Sequence, residues 1–171
     1  RRVFLADGDA FALRPERMKR LLEKLYGSFP KLERVTAYAG PGNFRGRSAE
    51  QLRGVREAGL SMLYFGLESG DDEVLRRVNK GYTCDQMVEV FLKAQEADIE
   101  LSITVILGLA GPKGSVAHAK ATAKALDRIA PKYASALTLM LAPKEPPYEE
   151  AYGDPDWRML SQGEALAECR L

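Results

Sequence analysis

Apolar residues along this chain alternate between two rhythms. Five short runs are dense in β-branched, aromatic and other apolar residues: Arg2 to Ala6 (RVFLA), Arg34 to Ala39 (RVTAYA), Met62 to Glu68 (MLYFGLE), Ile99 to Leu107 (IELSITVIL) and Tyr133 to Leu141. These predict strands. Between them the apolar positions recur every three or four residues, the period of a helix with one buried face. The stretch Arg17 to Phe29 carries Met18, Leu21, Leu22 and Leu25. The helix to Asp98 carries Met87, Val90, Phe91 and Ala94, and the Ala-rich stretch Ser115 to Ala130 carries Ala119, Ala123, Leu126 and Ile129.

Punctuation agrees with the periodicity. Pro15 suits a first helical turn, and Pro30 lies past the end of the same helix. Ser48 with Gln51 forms a capping-box pattern for a helix to Ala58, and Gly59 is a natural stop. A short helix over Asp71 to Asn79 precedes Lys80-Gly81, and Thr83 caps the helix after it. The tail holds Pro143, Pro146, Pro147 and Pro155, then a short helix from Ser161.

Strand and helix in strict alternation predict an α/β fold with a parallel sheet and right-handed crossovers. The strands recur about every 33 residues, the size of one βαβ unit. Eight such units need about 250 residues; with 171 residues, an open or partial barrel, or an α/β sheet, is expected. Residues 1–148 are read as that partial β/α barrel and residues 149–171 as a C-terminal extension.

Composition narrows the function classes. Lys and Arg total 25 against 24 Asp and Glu, a net charge of +1. Nothing in that balance indicates nucleic acid or an acidic surface as partner. Two cysteines make neither a disulfide framework nor a four-ligand zinc or three-cysteine iron–sulfur site. The longest apolar stretch, Leu101 to Ala110, is far short of a membrane span. A soluble, cytoplasmic protein is expected. The start at Arg1-Arg2-Val3, in mid-strand, reads as a piece of something longer.

In parallel α/β folds ligands bind at the C-terminal ends of the strands. Those ends read Asp7-Gly8-Asp9; Tyr38, Gly40, Gly42 and Asn43; Gly66-Leu67-Glu68-Ser69-Gly70; Gly108-Leu109-Ala110-Gly111; and Met140-Leu141-Ala142-Pro143. Glycine admits close approach of a ligand, and the carboxylates accept hydrogen bonds from amines or sugar hydroxyls. Each feature also has an ordinary structural reading. Asp7-Gly8-Asp9 reads equally as a turn with a helix-dipole carboxylate. Glu68 reads as a plain strand end, Lys80 as a C-cap, and Gly108 to Gly114 as a flexible connection. His118, without a partner pattern, is expected on the solvated surface. Cys84, in a first helical turn where the dipole lowers a thiol pKa, is incidental. Cys169 is expected to be structural, and Trp157 to pack the tail.

The string GLESGDDEVLRRVNKG (Gly66 to Gly81), with LADGDA (Leu5 to Ala10) and ILGLAG (Ile106 to Gly111), resembles the radical SAM superfamily. The branch it is most similar to holds oxygen-independent coproporphyrinogen oxidase, the Elp3-like proteins and the methylthiotransferases. The resemblance covers roughly Val3 to Tyr148. It implies a partial barrel in which a 4Fe–4S cluster reductively cleaves S-adenosylmethionine to a 5′-deoxyadenosyl radical. By the same resemblance, Gly8 and Asp9 meet the methionine amino group, Glu68 the ribose hydroxyls and Lys80 the methionine carboxylate. Ile106 and Gly108 meet the adenine, with Met140 and Leu141 as the last apolar adenine contact. Tyr38 stands where some relatives carry a carboxylate.

The family's CxxxCxxC cluster loop is absent here. By the resemblance the chain starts at the second strand, so the first β/α unit is missing and the cluster ligands belong to a parent protein. This chain alone is expected to be inactive. The alternative is a cluster-less scaffold that binds S-adenosylmethionine or a nucleotide without catalysis. An unpaired edge at Arg2 to Ala6 predicts self-association. The substrate is not legible in the sequence.

Overall fold

The computed structural model describes residues 1–6, 9–141 and 147–171. Five strands form one open, parallel sheet: β1 (Arg2–Leu5), β2 (Arg34–Tyr38), β3 (Leu60–Glu68), β4 (Glu100–Leu107) and β5 (Tyr133–Thr138), in the order β1-β2-β3-β4-β5. Phe4 pairs with Thr36 and Tyr38 with Tyr64, with a register shift at Val35/Thr36. The helices are α1 (Pro15–Ser28), α2 (Ala49–Glu57), α3 (Asp72–Arg77), α4 (Cys84–Gln95), α5 (Gly111–Ile129), α6 (Tyr148–Tyr152) and α7 (Gln162–Cys169), with single 3-10 turns at Ala10–Ala12 and Pro41–Phe44. The open α/β sheet agrees with the partial barrel expected from the alternation.

Local signals account for most boundaries. Pro15 opens α1 and Glu16 complements its dipole. Ser48 and Gln51 cap α2 reciprocally, and Ser161 and Glu164 do the same for α7. Thr83 and Gln86 exchange the equivalent bonds before α4. That helix stops at Gln95 rather than Asp98, where the backbone turns left-handed.

Packing divides the chain into two compact units. The first comprises Arg1–Gly66, Glu89–Ile103 and Pro131–Tyr133, and the second Leu67–Val88, Thr104–Ala130 and Ala134–Leu171. The first unit is built around Phe11, Met18, Leu22, Val35, Leu52, Leu63, Phe65 and Phe91, all essentially buried. A chain of rings runs through it: Phe11 to Phe44 at 5.5 Å, Phe44 to Phe65 at 5.8 Å and Phe65 to Phe91 at 4.8 Å. In the second unit Val74, Leu109 and Ala110 form a cluster against which Val78, Ile106, Leu139 and Tyr148 pack. Trp157 is buried there as expected, its ring tilted against Tyr148 at 4.7 Å and its indole N–H donating to the Leu109 carbonyl at 3.0 Å.

Three expectations are corrected. Helix α5 starts at Gly111, so Gly108 to Gly114 is not a flexible connection; Pro112 sits in its first turn. Its buried face is His118, Thr122, Ala125 and Ile129 rather than Ala119, Ala123, Leu126 and Ile129. The polar His118 and Thr122 are satisfied by partners on the turn after β3, and that turns the helix by one position. Strand β5 ends at Thr138, not Leu141, and all six of its residues are exposed.

Candidate functional site

In the first unit, Asp9 follows β1 and is exposed. Its carboxylate accepts the Asn43 amide N–H at 2.5 Å, while the Asn43 side-chain oxygen accepts the Gly40 N–H at 2.6 Å. Asn43 therefore ties the end of β2 to Asp9. The turn that follows Asp9 is anchored by buried Arg47, which donates to the carbonyls of Phe11 at 2.5 Å and Leu13 at 2.8 Å. Its guanidinium also stacks 4.4 Å from the Phe11 ring centre. Burial pulls the Arg47 pKa down, against the opposing charges of Asp9 and Glu16. Tyr38 is 53% exposed, its ring set edge-on to Phe4 at 4.7 Å and to Tyr64 at 6.2 Å. The expectation for Gly8 lies outside the described residues.

The second unit holds the other predicted residues. β3 ends at Glu68, whose backbone is left-handed at φ 62°. For a residue with a Cβ that conformation costs about 1–2 kcal/mol, and it persists only where neighbours impose it. Here the Ser69 N–H returns to the Leu67 carbonyl at 2.8 Å, and the Gly70 N–H donates to Thr122 Oγ1 at 2.9 Å. Asp71 then caps α3, its Oδ1 accepting from the Glu73 N–H at 2.9 Å and the Val74 N–H at 3.3 Å.

The end of α3 aims Lys80. Asn79 is left-handed at φ 54°, and the Lys80 N–H bonds back to the Leu75 carbonyl at 2.9 Å. The backbone of Lys80 thus does the capping, and its side chain is free for Glu68. Lys80 Nζ donates to Glu68 Oε1 at 2.9 Å, with the two side chains 21% and 23% exposed. An ammonium has three donors and a carboxylate two acceptor oxygens. One bond between them leaves the pair able to accept from hydroxyls and to donate to a carboxylate. These donors and acceptors suit a ligand that carries hydroxyls and a carboxylate.

Ile106 is partly buried against the Val74–Leu109–Ala110 cluster. Gly108, at φ 88°, follows β4 in a conformation that favours glycine. Met140 is 87% exposed, and Leu141 is partly buried.

His118 corrects the expectation of a solvated residue. It is 2% exposed, with Nδ1 2.8 Å from Ser69 Oγ and Nε2 3.1 Å from the Ile106 carbonyl. Glu168, 3% exposed, accepts the Gly108 N–H at 2.8 Å and the Ser115 hydroxyl. Sequence reasoning missed this network because its members are 49 and 60 residues apart. The only signal available was a lone histidine on an otherwise small-residue helix face.

The cysteines do not fit an iron–sulfur cluster. Cys84 is buried at the start of α4, and Cys169 is exposed at the end of α7. Burial and then Asp72 push the Cys84 thiol pKa up, opposite to the lowering expected from the helix dipole. The exposure of Cys169 likewise replaces its expected structural role. Among the described residues no group of three His, Cys, Asp or Glu is placed to hold a metal ion, and no helix is long and apolar enough to cross a membrane.

Comparison with known proteins places these observations. A family model described as the Radical SAM superfamily matches residues 1–126. The chain is 26% identical over 144 residues to the heme chaperone HemW of Bacillus subtilis (strain 168), covering 83% of this chain and 37% of that protein. Its fold is like that of coproporphyrinogen III oxidase (HemN) from Escherichia coli, described as a radical SAM enzyme. The TM-score is 0.74 at 20% identity, over 99% of this chain and 38% of HemN. Methylornithine synthase (PylB) matches with a TM-score of 0.68 at 19% identity, over 99% of this chain and 47% of PylB. The chain thus spans less than half the length of each.

Proposed function

Because this chain belongs to the radical SAM superfamily, we propose that it is the cofactor-holding portion of a radical SAM enzyme. In this reading the chain grips S-adenosylmethionine at its strand ends, and cluster ligands come from outside these 171 residues. The observation that carries it is the Glu68–Lys80 pair, 2.9 Å apart on a strained strand end. Glu68 accepts from the ribose hydroxyls and Lys80 donates to the methionine carboxylate. In the same reading Ile106, Gly108, Met140 and Leu141 receive the adenine. When bound with a reduced cluster, S-adenosylmethionine supplies radical chemistry; these residues only bind and orient it.

A second reading, a cofactor-binding scaffold without catalysis, is favoured by the likeness to HemW. The relative HemW is itself named as a chaperone. Both readings place the same ligand on the same residues. Calorimetry of this chain with S-adenosylmethionine tests them jointly: Glu68→Ala is expected to weaken binding roughly tenfold, the scale of one charged hydrogen bond. An unchanged affinity removes Glu68 from the site. Cleavage of the cofactor by a longer, cluster-bearing form separates enzyme from scaffold.

A further inference from the structure

The turn after β3 and the end of β4 are joined by a buried polar chain that the cofactor reading does not use. The Asp71 N–H donates to Ser69 Oγ at 2.9 Å. The Ile106 carbonyl, 3.1 Å from His118 Nε2, can only accept, so the neutral imidazole carries its proton on Nε2 and donates it there. Nδ1 is then an acceptor, and the Ser69 hydroxyl donates to it at 2.8 Å. Glu168 Oε1 stands 3.6 Å from the same Nε2 and accepts the Gly108 N–H at 2.8 Å; Glu168 Oε2 accepts from Ser115. Ser69 is wholly buried, His118 2% exposed and Glu168 3% exposed. A serine, a histidine and a glutamate also suggest a hydrolytic triad, but no substrate carbonyl reaches a hydroxyl with no exposed surface.

What the chain of bonds does is fix two strand ends against each other. One end presents Glu68, directly before Ser69; the other presents Ile106 and Gly108. The Ser69–His118 and Gly108–Glu168 bonds are buried and the others part-buried, so losing one of those two strands a desolvated partner and shifts the backbone that carried it. We infer that His118 and Glu168 are positioning residues for the nucleoside half of the cofactor, holding the ribose-binding and adenine-binding strand ends in register. Glu168 lies in α7, beyond the 126 residues that match the family. The inference rests on the cofactor reading above and adds the terminal helix to the machinery of that site.

His118 is the only histidine in the chain, which gives a direct test. In the unsubstituted chain with nitrogen-labelled histidine, the ring signals are expected to show the Nε2–H form and to move when methylthioadenosine is added. That probe carries adenine and ribose but no carboxylate. Binding that leaves the histidine signals unmoved overturns the inference while sparing the cofactor reading. If the chain binds neither methylthioadenosine nor S-adenosylmethionine, the cofactor reading falls and takes the inference with it. Affinities supply the second arm. Glu168→Leu is expected to weaken both ligands to the same degree, roughly tenfold, and Glu168→Gln, which keeps an oxygen for Gly108, to restore most of that loss. Lys80→Ala is expected to weaken S-adenosylmethionine alone. A merely structural role would lower the fraction of binding-competent protein without this split. If Glu168→Leu does not fold, the histidine signal of the unsubstituted chain decides the matter.

Discussion

Gly70 lies against the backbone of α5 so closely that a Cβ on it would sit 2.3 Å from the Ala121 carbonyl oxygen and 2.6 Å from its carbon. The neighbour is helix backbone, which cannot move aside as a side chain tip would. Gly70→Ala is expected to cost about 1–3 kcal/mol, the range for forced overpacking. It should also disturb the Gly70 N–H bond to Thr122. Chemical denaturation measures the loss. A variant as stable as the parent sequence would mean that this turn and α5 are not in contact.

The single tryptophan reports on the tail. Trp157 is 6% exposed and donates to the Leu109 carbonyl at 3.0 Å. Trp157→Phe is expected to cost about 0.5–1.5 kcal/mol, because it removes one of two bonds to a carbonyl that also accepts from the Tyr148 hydroxyl, and Trp157→Ala about 3–5 kcal/mol. In the unsubstituted chain, the emission should be that of a buried indole and should redden on denaturation. Emission typical of a solvated indole in the native protein would contradict the docking of residues 147–171.

The two thiols are expected to differ in reactivity. Cys169 is exposed and Cys84 buried. Burial, and secondarily Asp72, raise the Cys84 pKa, so less of it is thiolate at neutral pH. A thiol reagent should modify Cys169 quickly and Cys84 only in denaturant. Equal rates in the native protein would show that α4 does not shield Cys84.

Glu164 gives a pH prediction. Arg158, then the Ser161 backbone and hydroxyl, lower its pKa to about 2. A carboxylate depressed on folding contributes stability that is present above the unfolded pKa and is lost as the pH falls through the folded one. The window therefore runs from the ordinary carboxylate range of about 4.3 down to about 2. The group is partly exposed at the surface, so the contribution is small and salt-sensitive. Arg158→Ala should bring the Glu164 titration, read by carboxyl NMR, back towards the ordinary range. A titration that stays near 2 would assign the depression to Ser161 instead.

Anaerobic reconstitution of this chain with iron and sulfide is expected to give no stable cluster absorbance, because a buried thiol and an exposed one do not converge on a metal. A stable band would require rearrangement of α4 or α7. On the same preparation, light scattering tests self-association through the β1 edge. A monomer at all concentrations would count against it.

Much of this was legible in the sequence because it is local. Ser48 with Gln51 and Ser161 with Glu164 cap their helices within four residues. The five strands announced themselves by short apolar runs. Lys80 and Glu68 were both named from one sixteen-residue string, although only the left-handed Asn79 explains why they meet. What stayed hidden depends on distant partners. His118 looks solvated until Ser69 is brought to it, and Arg47 looks like one more surface charge until Phe11 and Leu13 supply carbonyls. Burial of a polar side chain is a property of the pair, and only one member of each pair was in view. The exposure of β5 was hidden for a related reason: its composition reads as a strand whether or not anything covers it.

The bond between Glu168 and the Gly108 N–H spans 60 residues. A ribosome that has made everything up to residue 160 has therefore not yet delivered the acceptor that a strand finished long before requires. Translation stopped by a nonsense codon there would release a chain retaining all five of the described strands yet bearing a stranded amide at its heart. Such a product would be expected to bind chaperones or be degraded.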